Sequence, residues 1–313
     1  MYLDATLCPL AADTRAERGR AIFEQEGWHV APAPSSVAEP AAGGAADGAA
    51  GGASGGACLQ GVVYNEMKGV YSSADALHGR LAMRALFPDN AYQYDSGGDP
   101  AAIPQLSYEQ FAAFHAQRYA PSSALLFACG DDPELDRLGR IDAALSRAHA
   151  HRATLGVAAG AAANAAAVVA PQSLRLEPWL VRSTYAAQPG GDGGGQYVSL
   201  NWLLAADGRA PASDRLALSM LSSLLLDSAA APLRTALVRS GLGSALIGGG
   251  LSDSLLQPTF SVGLKGVAPG DAARDAVVDL VLSTLARIAD GEDVTAPAPA
   301  GGGGGGGGGG AVS

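Results

Sequence analysis

From Ala31 to Ala57 the chain is almost entirely Ala, Gly, Pro and Ser, and from Ala296 it reads APAPAGGGGGGGGGG, while the alanine-dominated residues 152–171 read as either a poor helix or a linker. The first and last of these have almost nothing to bury and cannot offset the ~1 to 2 kcal/mol of backbone entropy that each ordered residue costs. A flexible loop over 31–57 and a disordered tail are therefore expected. Any core must come from the sequence in between. Hydrophobic residues make up 48% of the 313 residues, but alanine supplies much of that, and aromatics are only 6% against 43 glycines. The length suffices for two domains of ordinary size. An insertion such as 31–57 can sit on an intact domain, because loop closure costs only ~0.6 kcal/mol more per doubling of length.

The core-bearing stretches read as alternating helices and strands. Asp13 to Trp28 is expected to form a helix ending near Gly27. Val63 to Phe87 places apolar residues at a spacing closer to 3.6 than to 2, with a weak point at Ser72 and Ser73, which predicts one broken or kinked helix. FPDNAYQYDSGGDP is turn chemistry, and Ser107 then caps a helix running to about Tyr119. Ala124 to Cys129 (ALLFAC) reads as a short buried strand and Glu134 to Ala148 as an amphipathic helix. Further on, Leu174 to Tyr185 and Gln196 to Leu204 read as strands, and Ser213 to Asp227 as a capped apolar helix. A helix opened by Pro232 and closed by Gly241 or Gly243 follows. Ala245 to Leu251 and Thr259 to Val267 are the next strands, and Asp271 to Ala289 the last helix. The order predicts an α+β fold of helices packed on antiparallel or mixed sheet.

The net charge of -10 disfavours nucleic acid and anionic membrane surfaces as partners and favours cationic peptides. Three cysteines, Cys8, Cys58 and Cys129, show no CxxC spacing, which fits a reducing compartment better than a disulfide framework. No apolar run reaches the ~18 residues of a membrane span, and no targeting segment is expected in this chain.

One carboxylate stands out. Glu66, within GVVYNEMKGVYSS, starts an amphipathic stretch after an apolar run, where a glutamate suits the third ligand of a zinc ion whose other ligands are two histidines one helical turn apart. The histidines present are His29, His78, His115, His149 and His151. No two are spaced i, i+4, and neither HxxEH nor HExxH occurs. The structural alternative for Glu66 is a surface glutamate stabilising a helix N-terminus. His149 and His151 read as solvated residues at a helix end, and His78 and His115 as packing or surface residues. Asp95 and Asp99 read as turn residues whose carboxylates bond local amides. Glycine runs at 191–195 and 248–250 lack phosphate-loop context, and Cys58 has no positioned base. No catalytic residue is assigned.

Three groups of residues carry a family resemblance. VVYNEMKGVYS, followed by ALFPDNAYQYDSGGDPAAIPQLSYEQFAAFHAQRYAPSSALLFACGDDPE, resembles the presequence protease branch of the pitrilysin and insulin-degrading zinc metallopeptidase superfamily. Upstream, MYLDATLCPL and FEQEGWHV are similar to the same proteins. So are VSLNWLL and PLRTALVRSGLGSALIGGGLSDSLLQPTFSVGLKGV downstream. The resemblance implies two pitrilysin-like domains. The first, partial, spans 1–148 with the insertion 31–57; an Ala-rich linker covers 149–171, a second domain 172–293 and a Gly-rich tail 294–313. It implies a zinc endopeptidase that degrades cleaved targeting presequences and other short unstructured peptides in the mitochondrial matrix or plastid stroma. In that family an HxxEH helix supplies two histidine ligands and a glutamate base, and the glutamate matching Glu66 completes the site. Because the histidine pair is absent and the resemblance puts it before Met1, an incomplete polypeptide is expected, inactive alone, with the C-terminal half of its parent as a partner if supplied. The alternative is a noncatalytic peptide- or partner-binding subunit of the same superfamily.

Overall fold

A computed structural model describes residues 2–9, 17–32, 56–156, 169–186, 195–206 and 208–294. The chain divides into two compact units, Met1–Ala170 with Val181–Ala186, and Pro171–Leu180 with Ala187–Ser313. Helices and small antiparallel sheets make the fold α+β.

In the first unit, α1 (Tyr2–Leu7) and α2 (Glu17–Glu26) precede a two-stranded antiparallel ladder of β1 (His29–Pro32) and β2 (Ala57–Gln60). This ladder corrects the expected loop at both ends, since Ala31 and Pro32 pair with Cys58 and Ala57. The rest of that loop, the Gly-rich tail from 295, Asp13 at the start of the expected first helix and the glycine run up to 194 lie outside the described residues.

The expected broken helix is two helices, α3 (Val62–Tyr71) and α4 (Ala74–Leu86). The break has a local cause. Ser72 Oγ donates to the Gly69 carbonyl at 2.6 Å, and Ser73 becomes the N-cap of α4, its side chain accepting from the Ala76 N–H. At its other end α3 begins on Gly61, whose φ of 147° belongs to glycine and whose Cβ, if present, would lie 2.2 Å from the Gly27 carbonyl oxygen. That carbonyl accepts the Tyr64 N–H, one of the first-turn donors with no partner inside the helix. Gly61→Ala should therefore lower the stability of the first unit by about 2 kcal/mol, from backbone strain and the displaced contact. Amide exchange of α3 is the measurement, and wild-type protection in the variant would refute the close-approach argument.

Ser107 caps α5 (Tyr108–Arg118) through a capping box, its hydroxyl accepting from the Gln110 N–H while the Gln110 side chain accepts from the Ser107 N–H. Then comes α6 (Glu134–Thr154), longer than expected, with His149 and His151 on its final turns. Buried Tyr64 and Met67 of α3 pack with Ile103, and Trp28 and Tyr71 lean on them. The segment between α5 and α6 is a correction. Ala124 to Cys129 forms no strand, and Leu125 and Phe127 are 96% and 91% exposed. Leu174 to Tyr185 likewise forms none. A strand exists by pairing, and among the described residues no strand pairs with either segment.

The second unit is a three-stranded antiparallel sheet, ordered β3 (Gln196–Leu203), β5 (Thr259–Val267), β4 (Ala245–Ser252). Alternation puts Val198 opposite Leu264 and Leu200 opposite Val262 on one face. That face packs on Leu233 and Leu237 of α8 (Pro232–Ser240) and on Val277 and Val281 of α9 (Asp271–Ala289). Leu233, Leu264, Val262, Val277 and Val281 are at most 1% exposed, so each adds about 1.5–3 kcal/mol to the core. Gly241 closes α8 in the left-handed conformation. The helix α7 (Ala212–Leu226) follows Pro211 with no side-chain cap, a further correction: Ser213 lies inside the helix and bonds the Asp214 carboxylate instead.

Candidate functional site

Glu66 is the fifth residue of α3, in its second turn, with no acidic residue in the first. This position removes the helix-dipole explanation, which falls off beyond the first turn. The side chain is exposed and makes no hydrogen bond or ion pair with another described residue. Its neighbours explain how it is presented. Tyr64 and Met67, two before it and one after, face inward at 9% and 5% exposure, so the helix is anchored on one side and offers Glu66 on the other.

Beneath α3 lies the loop YDSGGDP. Gly97 touches Met67 closely enough that a Cβ there would be 2.5 Å from Sδ. Asp95 accepts from the Gly97 N–H at 3.0 Å and Asp99 from the Ala101 N–H at 2.9 Å, the local turn role expected of both. Each carboxylate also does something the sequence reading missed. Asp95 pairs with Arg80 and Asp99 with Arg84, the second at 2.8 Å, and the Arg80 guanidinium lies over the Tyr71 ring, 4.1 Å from its centroid. Burial would raise the Asp95 carboxyl, but the Gly97 N–H and Arg80 outweigh it and hold it below the usual carboxylate range. Burial, with Asp99 nearby, pushes the Tyr71 phenol up, and its hydroxyl is buried with no hydrogen-bond partner among the described residues. The signal was present: Arg80 and Arg84 are four residues apart on α4, as are Asp95 and Asp99 in the loop.

The histidines are dispersed. His29 sits in β1 with Nδ1 2.9 Å from the Glu24 carbonyl, and His78 is half-buried in α4, where burial lowers its pKa. His115 holds Nε2 2.8 Å from the Thr6 carbonyl and stacks on Tyr119, with burial again lowering its pKa. His149 is exposed on α6. Among the described residues no three His, Cys, Asp or Glu side chains converge, so these residues do not make a zinc site by themselves. What is present could serve as one contributed ligand: an exposed carboxylate on an anchored helix. Cys8, Cys58 and Cys129 are unpaired with one another. Among the described residues no helix is long and apolar enough to cross a membrane.

The described residues form an α+β fold of helices and small antiparallel sheets, with Glu66 exposed on α3. Residues 105–296 match the family described as Peptidase M16 inactive domain, a span that excludes Glu66. The chain is similar to "Presequence protease 1, chloroplastic/mitochondrial" of Arabidopsis thaliana, 37% identical over 291 residues, or 93% of this chain and 24% of that protein. It is also similar to "Presequence protease, mitochondrial" of Aspergillus oryzae, at 34% identity over 88% of this chain and 24% of the relative. "Protein HypA" of Clostridium perfringens is 31% identical over 85% of this chain and 24% of its own length. The chain belongs to the peptidase M16 family, in its presequence protease branch. It spans about a quarter of the length of these relatives.

Proposed function

We propose that this chain is the Glu66-bearing part and the second domain of a zinc metalloendopeptidase that degrades cleaved targeting presequences and other short unstructured peptides. The observation that carries the reading is Glu66 itself, exposed and unpartnered on an anchored helix, within a chain that aligns with presequence proteases over 93% of its length. Glu66 would donate one carboxylate oxygen to zinc, and the metal, when bound, would acidify a water for attack on a peptide carbonyl. The remaining ligands are not among the 313 residues in HxxEH form, so the chain alone is inactive in this reading. The net charge of -10 draws in Arg-rich, acid-poor presequences. The organellar names of the relatives support a mitochondrial matrix or plastid stroma location.

The second reading, a noncatalytic peptide- or partner-binding subunit, is favoured by one observation: the family matched over residues 105–296 is described as inactive. The experiment is complementation. The chain is mixed with a polypeptide covering the part of the Arabidopsis relative that it does not span, and cleavage of a synthetic presequence peptide is followed with and without a zinc chelator. Chelator-sensitive cleavage by the mixture, and by neither component alone, is expected. Peptide binding without cleavage would overturn the protease reading in favour of the second.

A further inference from the structure

We infer that Arg80 and Arg84, gripping Asp95 and Asp99, form a two-point latch that fixes α3 in place, and that these four are positioning residues for Glu66. The inference deepens the proposed role of Glu66 and rests on it. The Gly27 carbonyl, which accepts the Tyr64 N–H, and Trp28 hold α3 from one side, while Tyr64 and Met67 bear on Ile103 and Met67 also bears on Gly97. Gly97 and Ile103 lie in or beside the loop that follows α4, so the inner face of α3 is placed in part by that loop. The loop is in turn tied to α4 by both ion pairs, which match an i, i+4 step on the helix with an i, i+4 step in the loop.

Arg80 closes the circuit by lying over Tyr71, the last residue of α3. Its side chain and that of Asp95 are only 20% and 16% exposed, so solvent screens this pair less than a surface pair. Arg84 and Asp99, at 50% and 30%, form the outer and weaker point. A planar guanidinium serves an ion pair and a ring face at once, which a flexible ammonium does less well.

The test is amide hydrogen exchange on the whole chain, without metal or substrate. Arg80→Met keeps a long apolar stem over Tyr71 and removes the charge. Amides from Asn65 to Val70 should exchange at least about tenfold faster, while α5 and α9 keep wild-type rates. Arg80→Lys restores the charge and should recover most of the protection. Uniform loosening of α3 and α5 together, or failure of lysine to rescue, would reduce the latch to ordinary packing and overturn the inference. Unchanged exchange in α3 would overturn it as well. In the complemented mixture, Arg80→Met should lower kcat about tenfold with KM unchanged, because a displaced ligand affects the reacting centre and not peptide capture. An unaltered kcat would break the link to Glu66. Failure of the protease reading is a separate result, visible as inactivity of the wild-type mixture while the exchange pattern stands.

Discussion

Replacing Gln257 by leucine should destabilise the second unit by about 3 kcal/mol, although the two side chains are nearly equal in volume. Gln257 is completely buried in the loop between β4 and β5, where its amide acts as a one-residue strand. Its Oε1 accepts from the Gln172 N–H at 2.6 Å, and its Nε2 donates to the Gln172 carbonyl at 2.9 Å and to the Ala205 carbonyl at 2.6 Å. Leucine leaves three backbone groups without those partners at about 1–3 kcal/mol each, and offsets part of that by burying apolar surface. Exchange of the Val198 and Val262 amides, which reports opening of this sheet, is the measurement. Gln257→Glu sharpens the test. A carboxylate still accepts from Gln172 but faces two carbonyl oxygens and cannot donate to either. Its folded-state pKa should therefore be raised above the unfolded value of about 4.3. The deficit of this variant should be largest at neutral pH and shrink as pH falls through the folded pKa, levelling off below the unfolded one. Wild-type stability in both variants would show that the clamp is dispensable.

That clamp and the latch share a reason for having escaped the sequence. Helices announce themselves locally: Ser107 as a cap, Pro232 at a first turn and Gly241 at a C-terminus act where the sequence places them, and the weak point at Ser72 and Ser73 is where the helix breaks. The three strands of the second unit were legible too, β3 and β5 from apolar residues at alternate positions and β4 (ALIGGGLS) without that alternation. Pairing across the chain is different. Ala124 to Cys129 and Leu174 to Tyr185 have strand composition, but a strand needs a neighbour that composition does not reveal. Gln257 bonding Gln172 across 85 residues is invisible for the same reason. The spacing of Arg80 with Arg84 and of Asp95 with Asp99 was readable in principle, yet only the fold tells which helix and loop meet. Ser213, a good cap residue by type, lost that role to Pro211 two residues earlier. Glu66 was singled out by the words around it, and its second-turn position, which excludes the dipole role, came from the structure alone.

The largest effect should come from Glu66→Gln in the complemented mixture of chain and relative-derived polypeptide. Glutamine preserves length, shape and a carbonyl acceptor, and Glu66 has no described partner to lose, so α3 and its anchors Tyr64 and Met67 should be undisturbed. What disappears is the anionic oxygen. A neutral amide is a poor zinc ligand beside a carboxylate, so zinc affinity and peptide cleavage should each fall by at least about a hundredfold, the upper range seen even for outer-shell changes. Three readouts separate the explanations. Unchanged exchange of the α3 amides in the isolated chain establishes that the helix is intact. Zinc content after gel filtration of the mixture reports the metal directly, independent of turnover. Peptide cleavage then reports the consequence. Loss of zinc and cleavage with α3 intact identifies Glu66 as a ligand. Full zinc content with lost cleavage would move Glu66 from the metal to the substrate or water. Full zinc content with full cleavage would leave Glu66 an ordinary surface residue, however well the rest of the chain aligns with presequence proteases.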